Sequence, residues 1–241
     1  MGRLLTKKHP DHQNTRGNCY QNNEHVGSSV HTQKKRAEPY KIYYQNIRRI
    51  VTKKTKYKIN YLKEYVVENK ILAINLTETW LDDTITNDLK INGYQLFRSD
   101  RKGRQGGGTA IYLNEEYEGK TLIEESIEEC QVIAIYIEKL NTINIVIYRP
   151  PDTKQASFKI ILDKVKQLLE GMSIPEPVVI ISGDFNFPFV EWTRGAQNGC
   201  TWKVKSGSTR DEMEQFVKLI ELFDKHNLIQ AIEEPTREKI H

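Results

Sequence analysis

A mixed α/β fold is predicted for this 241-residue chain by three features of its sequence. Short runs of β-branched and aromatic residues alternate with longer segments whose apolar residues recur at helical spacing. Several of the apolar runs, such as Val178-Val179-Ile180-Ile181, are continuous enough to read as buried strands. Polar residues with chemistry to offer stand at the ends of those runs, where ligands of open α/β sheets gather.

The elements follow in order. Tyr40-Lys41-Ile42-Tyr43-Tyr44-Gln45-Asn46 reads as a strand that ends in Asn46. Between Lys56 and Asn69, the stripe Ile59, Leu62, Tyr65 and Val66 predicts a helix that bridges to the next strand, Ile71–Leu76. That strand leaves its sheet at Thr77-Glu78-Thr79-Trp80-Leu81. Phe97–Gly107 reads as a basic loop carrying Arg98, Arg101, Lys102 and Arg104. The glycines Gly106-Gly107-Gly108 lack the Lys-Ser/Thr of a phosphate-cradling loop and open a strand, Thr109–Leu113, so close backbone packing is their expected role.

Strand segments are expected around Thr121–Ile123 and Gln131–Ile137, and again at Thr142–Ile147, which runs into Tyr148-Arg149-Pro150-Pro151. Ser157–Leu169 has helical periodicity through Phe158, Ile161, Leu162 and Val165. The Val178–Ile181 strand delivers Gly183-Asp184-Phe185-Asn186 into a turn. Thr193–Lys205 is polar and reads as a surface loop near nucleic acid, and Thr209 with Glu212 forms a capping box before a helix that reaches His226. Trp80, Trp192 and Trp202 read most simply as packing residues.

Composition bounds the function. Hydrophobic residues make up 38% of the chain, enough for one sizeable core, and no apolar run approaches the ~18 residues of a membrane span. There is no apolar leader segment, and the three cysteines Cys19, Cys130 and Cys200 are too scattered for a disulfide framework. An intracellular protein, nuclear or cytoplasmic, with no membrane partner is expected. Of the formal charge of +4, Met1–Arg36 carries +5, leaving the remainder at −1. Residues 1–38, poor in large apolar side chains, read as a disordered basic tail, and 39–241 as one domain. Lys34-Lys35-Arg36 suits nucleic acid or a nuclear address, and equally a leader of no function. The four histidines of the tail have no metal-ligand spacing.

Four strands thus end in polar groups: Asn46, Glu78, Tyr148, and Asp184 with Asn186. Asp184 can bind a hard cation or orient a water, and Asn186 can donate to a developing oxyanion. Metal-assisted hydrolysis of a phosphate ester needs both. Taken alone, Asp-x-Asn after a strand equally fits an Asx-turn. An oxygen-rich set of this kind suits Mg²⁺, with Mn²⁺ as the alternative ion.

The series QNIRRI, TETWL, RSDRKGRQGGG, YRPP and GDFNFP, in this order, resembles the endonuclease/exonuclease/phosphatase superfamily from about Tyr40 to Arg237. More narrowly, it resembles the apurinic-type endonuclease domain of non-LTR (LINE-like) retrotransposons. The resemblance implies a two-sheet β-sandwich flanked by helices, four-layered and DNase I-like. It implies a Mg²⁺-dependent DNA endonuclease, in the family fused to a reverse transcriptase. Residue by residue, it implies Glu78 as the acidic metal ligand, supported by Asn46. Tyr148 would contact the scissile phosphate, Asp184 would orient the attacking water, and Asn186 would stabilise the pentavalent phosphorus. Thr236 would lie over a DNA phosphate. The arginines Arg98, Arg101 and Arg104 are expected to contact substrate phosphates, or else to form a merely solvated loop. The family's catalytic Ser-Asp-His does not occur in this sequence, so the domain's last strands are expected to be missing and a sheet edge exposed. Two alternatives accompany this reading: an inactive fragment that retains nucleic-acid binding, and a phosphatase or phosphodiesterase of the same superfamily.

Overall fold

A computed structural model describes residues 2–7, 40–51, 57–82, 84–85, 89–194, 200–205 and 207–231. Its strands are β1 (Gly2–Lys7), β2 (Ile42–Asn46), β3 (Ala73–Thr77), β4 (Tyr94–Ser99), β5 (Thr109–Asn114), β6 (Gly119–Ile127), β7 (Cys130–Ile137), β8 (Thr142–Tyr148), β9 (Val178–Asp184), β10 (Val190–Arg194), β11 (Cys200–Val204) and β12 (Leu228–Gln230). Its α-helices are α1 (Tyr57–Asn69), α2 (Gln155–Gly171) and α3 (Arg210–Lys225). One sheet has the order β12-β1-β9-β8-β7-β6 and the other β2-β3-β5-β4, with β10-β11 a separate ribbon.

The layers follow from side-chain periodicity. Every residue of β3 and of β8 is buried, because each strand has a helix layer on one face and the other sheet on the opposite face. Strands buried on both faces need continuous apolar runs, which is what these segments supply. Helix α1 lays Ile59, Leu62 and Val66 on the four-stranded sheet. On the far side, α2 and α3 set Phe158, Ile161, Val165, Phe216 and Leu219 against the six-stranded sheet. Between the sheets lie Ala73, Ile111, Leu113, Ile133, Ile135 and Val146. The result is the four-layer sandwich expected from the sequence. Helix α3 begins with the expected capping box: Glu212 N donates to Thr209 Oγ1 and Thr209 N donates to the Glu212 carboxylate.

Two βαβ units set up the site. β2 and β3 are parallel through α1, and β8 and β9 are parallel through α2. Parallel neighbours end at the same edge, so Asn46 pairs with Thr77 beside Glu78, and Tyr148 pairs with Asp184.

Three sequence expectations change. Gly2–Lys7, assigned to a disordered tail, is a strand paired antiparallel with both β9 and β12. Backbone pairing needs no apolar pattern, so a six-residue segment with only Leu4 and Leu5 apolar was not read as a strand. The basic loop is shorter than expected, because Phe97–Ser99 completes β4 against β5. Thr193–Lys205 is largely ribbon, with Trp192 paired to Trp202 in register. The tract is polar because the ribbon lies outside both sheets.

Candidate active site

Asn46, Glu78, Tyr148 and Asp184 meet at the edge where the two parallel pairs end. Asn46 Nδ2 donates to Glu78 Oε1 at 3.2 Å and to Asp184 Oδ2 at 2.7 Å. The Tyr148 hydroxyl donates to the same Glu78 Oε1 at 3.2 Å, and Trp80 Nε1 donates to Oε2 at 3.2 Å. Glu78 is thus held by three neutral donors. Burial foremost, then the Glu78 charge and hydrogen bond and the Asp184 charge, push the Tyr148 phenol well above its ordinary range, against a small opposing pull from Arg101. Tyr148 therefore stays a donor at neutral pH.

The loops carrying these groups are bound to one another. Ile47 N, Arg49 N and Ile50 N donate to the carbonyls of Thr77, Glu78 and Thr79, at 3.0, 2.7 and 3.0 Å. Arg48, Arg49, Glu78, Trp80 and Asn186 all have positive φ without being glycine. Such backbone costs of order 1–3 kcal/mol per residue and persists only where its surroundings fix it, most often at functional sites. The glycines have the packing role expected: Gly107 O accepts from Trp80 N at 2.9 Å. A Cβ on Gly108 would lie 2.4 Å from Thr79 Oγ1, and one on Gly107 2.5 Å from Gln131 Oε1. Gly183 has no left-handed backbone; its missing side chain admits the Ile147 carbonyl, which a Cβ would meet at 2.0 Å.

The other predicted residues are placed differently. Asn186 lies on the turn after β9, where its N–H points at Asp184 Oδ1 (3.4 Å) and its Nδ2 donates to Arg149 O (2.7 Å). The Asn186 N–H to Asp184 Oδ1 contact gives the Asx-turn reading of Asp184-Phe185-Asn186 its geometric expression. Arg98 is engaged within the fold: it pairs with Asp100 at 2.8 Å and donates to the carbonyls of Ile85 and Asp82. Because Arg98 belongs to β4 rather than to a loop, its guanidinium braces the segment after Trp80. Arg101 lies over Gly107, with its charge felt at Tyr148. Its Nε and Nη2 are shielded without a hydrogen-bond acceptor, and burial lowers its pKa. Arg104 is exposed, and Thr236 lies outside the described residues.

Three contributors were not assigned from sequence. Arg149 is fully buried, donates from Nε to Gln215 Oε1 at 2.8 Å and from Nη1 to the carbonyls of Phe185 (3.1 Å) and Asn186 (3.2 Å), and stacks on Phe187. It clamps the turn that carries Asp184 and Asn186. A charged residue between an apolar strand and two prolines was the available signal. Lys58, in the first turn of α1, donates to the Ile47 and Arg48 carbonyls. A cation at a helix N-terminus opposes the helix dipole, which marks it as held for another purpose. Trp80, read as packing, is half-buried, bonds Glu78, and carries the Arg49 guanidinium 4.7 Å above its ring.

Among the described residues no cluster of three or more His, Cys, Asp and Glu exists. Two carboxylates around one point fit a hard cation that keeps most of its waters. Glu78 would hold it with Asp184 adjacent, while Asn46, expected as a ligand, turns its amide NH2 to both carboxylates and its Oδ1 to Arg48 N and so would orient them.

Among solved structures, the chain is similar to the AP endonuclease LMAP from Leishmania major, at 14% identity and a TM-score of 0.54, covering 78% of this chain and 67% of that one. It is similar to the 3′ phosphatase NExo from Neisseria bound to a product DNA hairpin, at 14% identity and a TM-score of 0.50, covering 76% and 71%. The chain has the fold of the endonuclease/exonuclease/phosphatase superfamily. The endonuclease domain of TRAS1, a telomere-specific non-LTR retrotransposon, is matched at 15% identity and a TM-score of 0.48, covering 76% and 71%. No protein-family model and no curated protein sequence matches the chain. Among the described residues, no helix is long and apolar enough to cross a membrane.

Proposed function

We propose that this protein is a divalent-metal-dependent phosphodiester hydrolase acting on DNA. The observation that carries the reading is the hydrogen-bonded convergence of Glu78 and Asp184, from different sheets, on Asn46. Two carboxylates are brought this close where a cation or a reacting phosphate is to be served. A bound Mg²⁺ or Mn²⁺ would supply charge neutralisation for the phosphoryl group and its leaving oxygen. The chain's own groups do the rest. Asp184 orients the attacking water and takes up its proton on its carboxylate. Tyr148, held protonated, contacts a phosphate oxygen. Asn186 presents its remaining amide hydrogen to the developing oxyanion. Arg101 and Arg104 bind flanking phosphates, which position the duplex without reading its bases. The motif series from QNIRRI to GDFNFP supports the narrower reading, a retrotransposon-type endonuclease domain.

A second reading is nucleic-acid binding without efficient cleavage, since among the described residues no imidazole stands beside Glu78 and Asp184. A positioned imidazole typically contributes about 10²–10⁴-fold, and the one described histidine, His226, caps α3. The test is nicking of supercoiled plasmid with Mg²⁺, Mn²⁺ or EDTA, using wild type, Glu78→Gln and Asp184→Asn. Duplex binding is followed in parallel by fluorescence anisotropy across a salt series. Slow, metal-dependent nicking lost in both variants supports hydrolysis. Salt-sensitive binding with no nicking above Asp184→Asn supports the second reading. Neither binding nor nicking would overturn both.

A further inference from the structure

Between the two sheets, where nearly every contact is apolar, three polar side chains form a closed hydrogen-bond set. Asn75 Nδ2 donates to Asn144 Oδ1 and to Ser182 Oγ, and Asn144 Nδ2 returns a bond to Asn75 Oδ1, each at 2.8 Å. All three residues are fully buried. Their positions in the chain are the telling feature. Asn75 stands on β3, which runs out to Glu78; Asn144 stands on β8, which ends in Tyr148; and Ser182 stands on β9, which ends in Asp184. The strands that deliver Glu78, Tyr148 and Asp184 are therefore the strands this cluster joins.

The cluster also spans the division that matters. Asn46 and Glu78 belong to the four-stranded sheet, whereas Tyr148 and Asp184 belong to the six-stranded one. The 2.7 Å contact between Asn46 and Asp184 therefore depends on how one sheet is set against the other. Apolar packing alone is a poor guide to that setting, because burial is non-directional and a sheet displaced along its strands buries similar area. Hydrogen bonds are directional and fail within a few tenths of an ångström. A buried amide whose partners slip away leaves unpaired groups in a dry core, which is costly.

We propose that Asn75, Asn144 and Ser182 are positioning residues whose reciprocal hydrogen bonds fix the sheet-to-sheet register that assembles the site across the sandwich. The inference rests on the reading above that Glu78 and Asp184 form one metal-dependent site, and it extends that reading to residues that touch neither metal nor substrate. An ordinary structural role makes a different prediction. Exchanging a whole buried polar set for apolar groups of similar shape is nearly neutral or stabilising, so stability and site geometry separate in the right variant.

The test uses the triple variant Asn75→Leu/Asn144→Leu/Ser182→Ala of the full chain. Three quantities are compared with wild type: the thermal midpoint, the Mn²⁺ dissociation constant by titration calorimetry, and the side-chain amide resonances of Asn46. The expected result is a midpoint close to wild type, with Mn²⁺ bound at least tenfold more weakly and the Asn46 amide shifted or split. Wild-type Mn²⁺ affinity together with an unchanged Asn46 amide would overturn the proposal. Should the triple variant not fold, hydrogen exchange on the wild type decides. The side-chain amides of Asn75 and Asn144 must exchange as slowly as the backbone of β3 and β8, and exchange as fast as that of surface amides overturns the proposal. Failure of the wild type to bind Mn²⁺ would count against the metal site itself, while the Asn46 resonance and the exchange rates still decide the register.

Discussion

Replacing Asn46 by aspartate asks whether its amide is what lets two carboxylates share the site. The amide nitrogen lies 2.7 Å from Asp184 Oδ2 and 3.2 Å from Glu78 Oε1. Asn46→Asp puts an anionic oxygen at about those separations. At an effective dielectric of about 20, two unit charges ~3 Å apart repel by roughly 5–6 kcal/mol. The variant escapes most of that by taking up a proton. Keeping a carboxyl of ordinary pKa, about 3.9, protonated at pH 7 costs about 4 kcal/mol. That is the ceiling on the loss of stability at neutral pH. The folded variant holds a proton that its unfolded chain releases, so the folded pKa is raised. The deficit relative to wild type is therefore absent below about pH 4 and grows as pH rises towards 7. A hard divalent cation should reverse it, because three carboxylates bind one more tightly than two. The assay is urea unfolding of both proteins at the two ends of that range, in EDTA and in millimolar Mg²⁺. Equal stability at neutral pH in EDTA would refute the geometry. A deficit that Mg²⁺ leaves untouched would refute the assignment of the metal.

Arg149→Lys should cost about 2–5 kcal/mol in urea unfolding, because an ammonium cannot serve Gln215, Phe185 and Asn186 together and leaves about two buried acceptors unpaired; wild-type stability would remove the clamp. Gly183→Ala drives a methyl onto the Ile147 carbonyl and should cost at least about 3 kcal/mol, read as a lowered thermal midpoint; an unchanged midpoint contradicts the close approach of β8 and β9. Tyr112 and Tyr148 are buried phenols whose pKa values are raised, by burial first. Unfolded tyrosines ionise near pH 10 while these do not, so stability should fall above about pH 10, by roughly 3 kcal/mol per pH unit for the pair. Tyr148→Phe should reduce the slope by about 1.4 kcal/mol per pH unit, and a flat profile up to about pH 11 would refute the burial argument.

Much of this site was legible because strand ends are written locally. A run such as Val178–Ile181 followed by Gly183-Asp184 announces both the strand and what it delivers, and parallel βαβ units carry such ends to one edge. Asn46, Glu78, Tyr148 and Asp184 could therefore be named without coordinates. The engagement of Arg98 with Asp82, Ile85 and Asp100 was not legible, because it depends on β4 pairing with β5, and the arginine-rich stretch has loop composition. β1 escaped notice for a related reason, since its pairing between β9 and β12 is satisfied by backbone groups that every sequence carries.

What the sequence determined by itself was a set of elements and the polar groups at their ends, since periodicity and turn chemistry act over a few residues. What only the tertiary structure decided was which groups are shared between elements distant in the chain. Asn75 is one more small polar residue within an apolar run until β3 is laid against β8 and β9. Arg149 is one more basic residue until α3 and the turn after β9 close around it. Their roles arise from directional bonds across 36 to 107 positions of chain, and directionality between distant segments leaves no periodic trace in either segment.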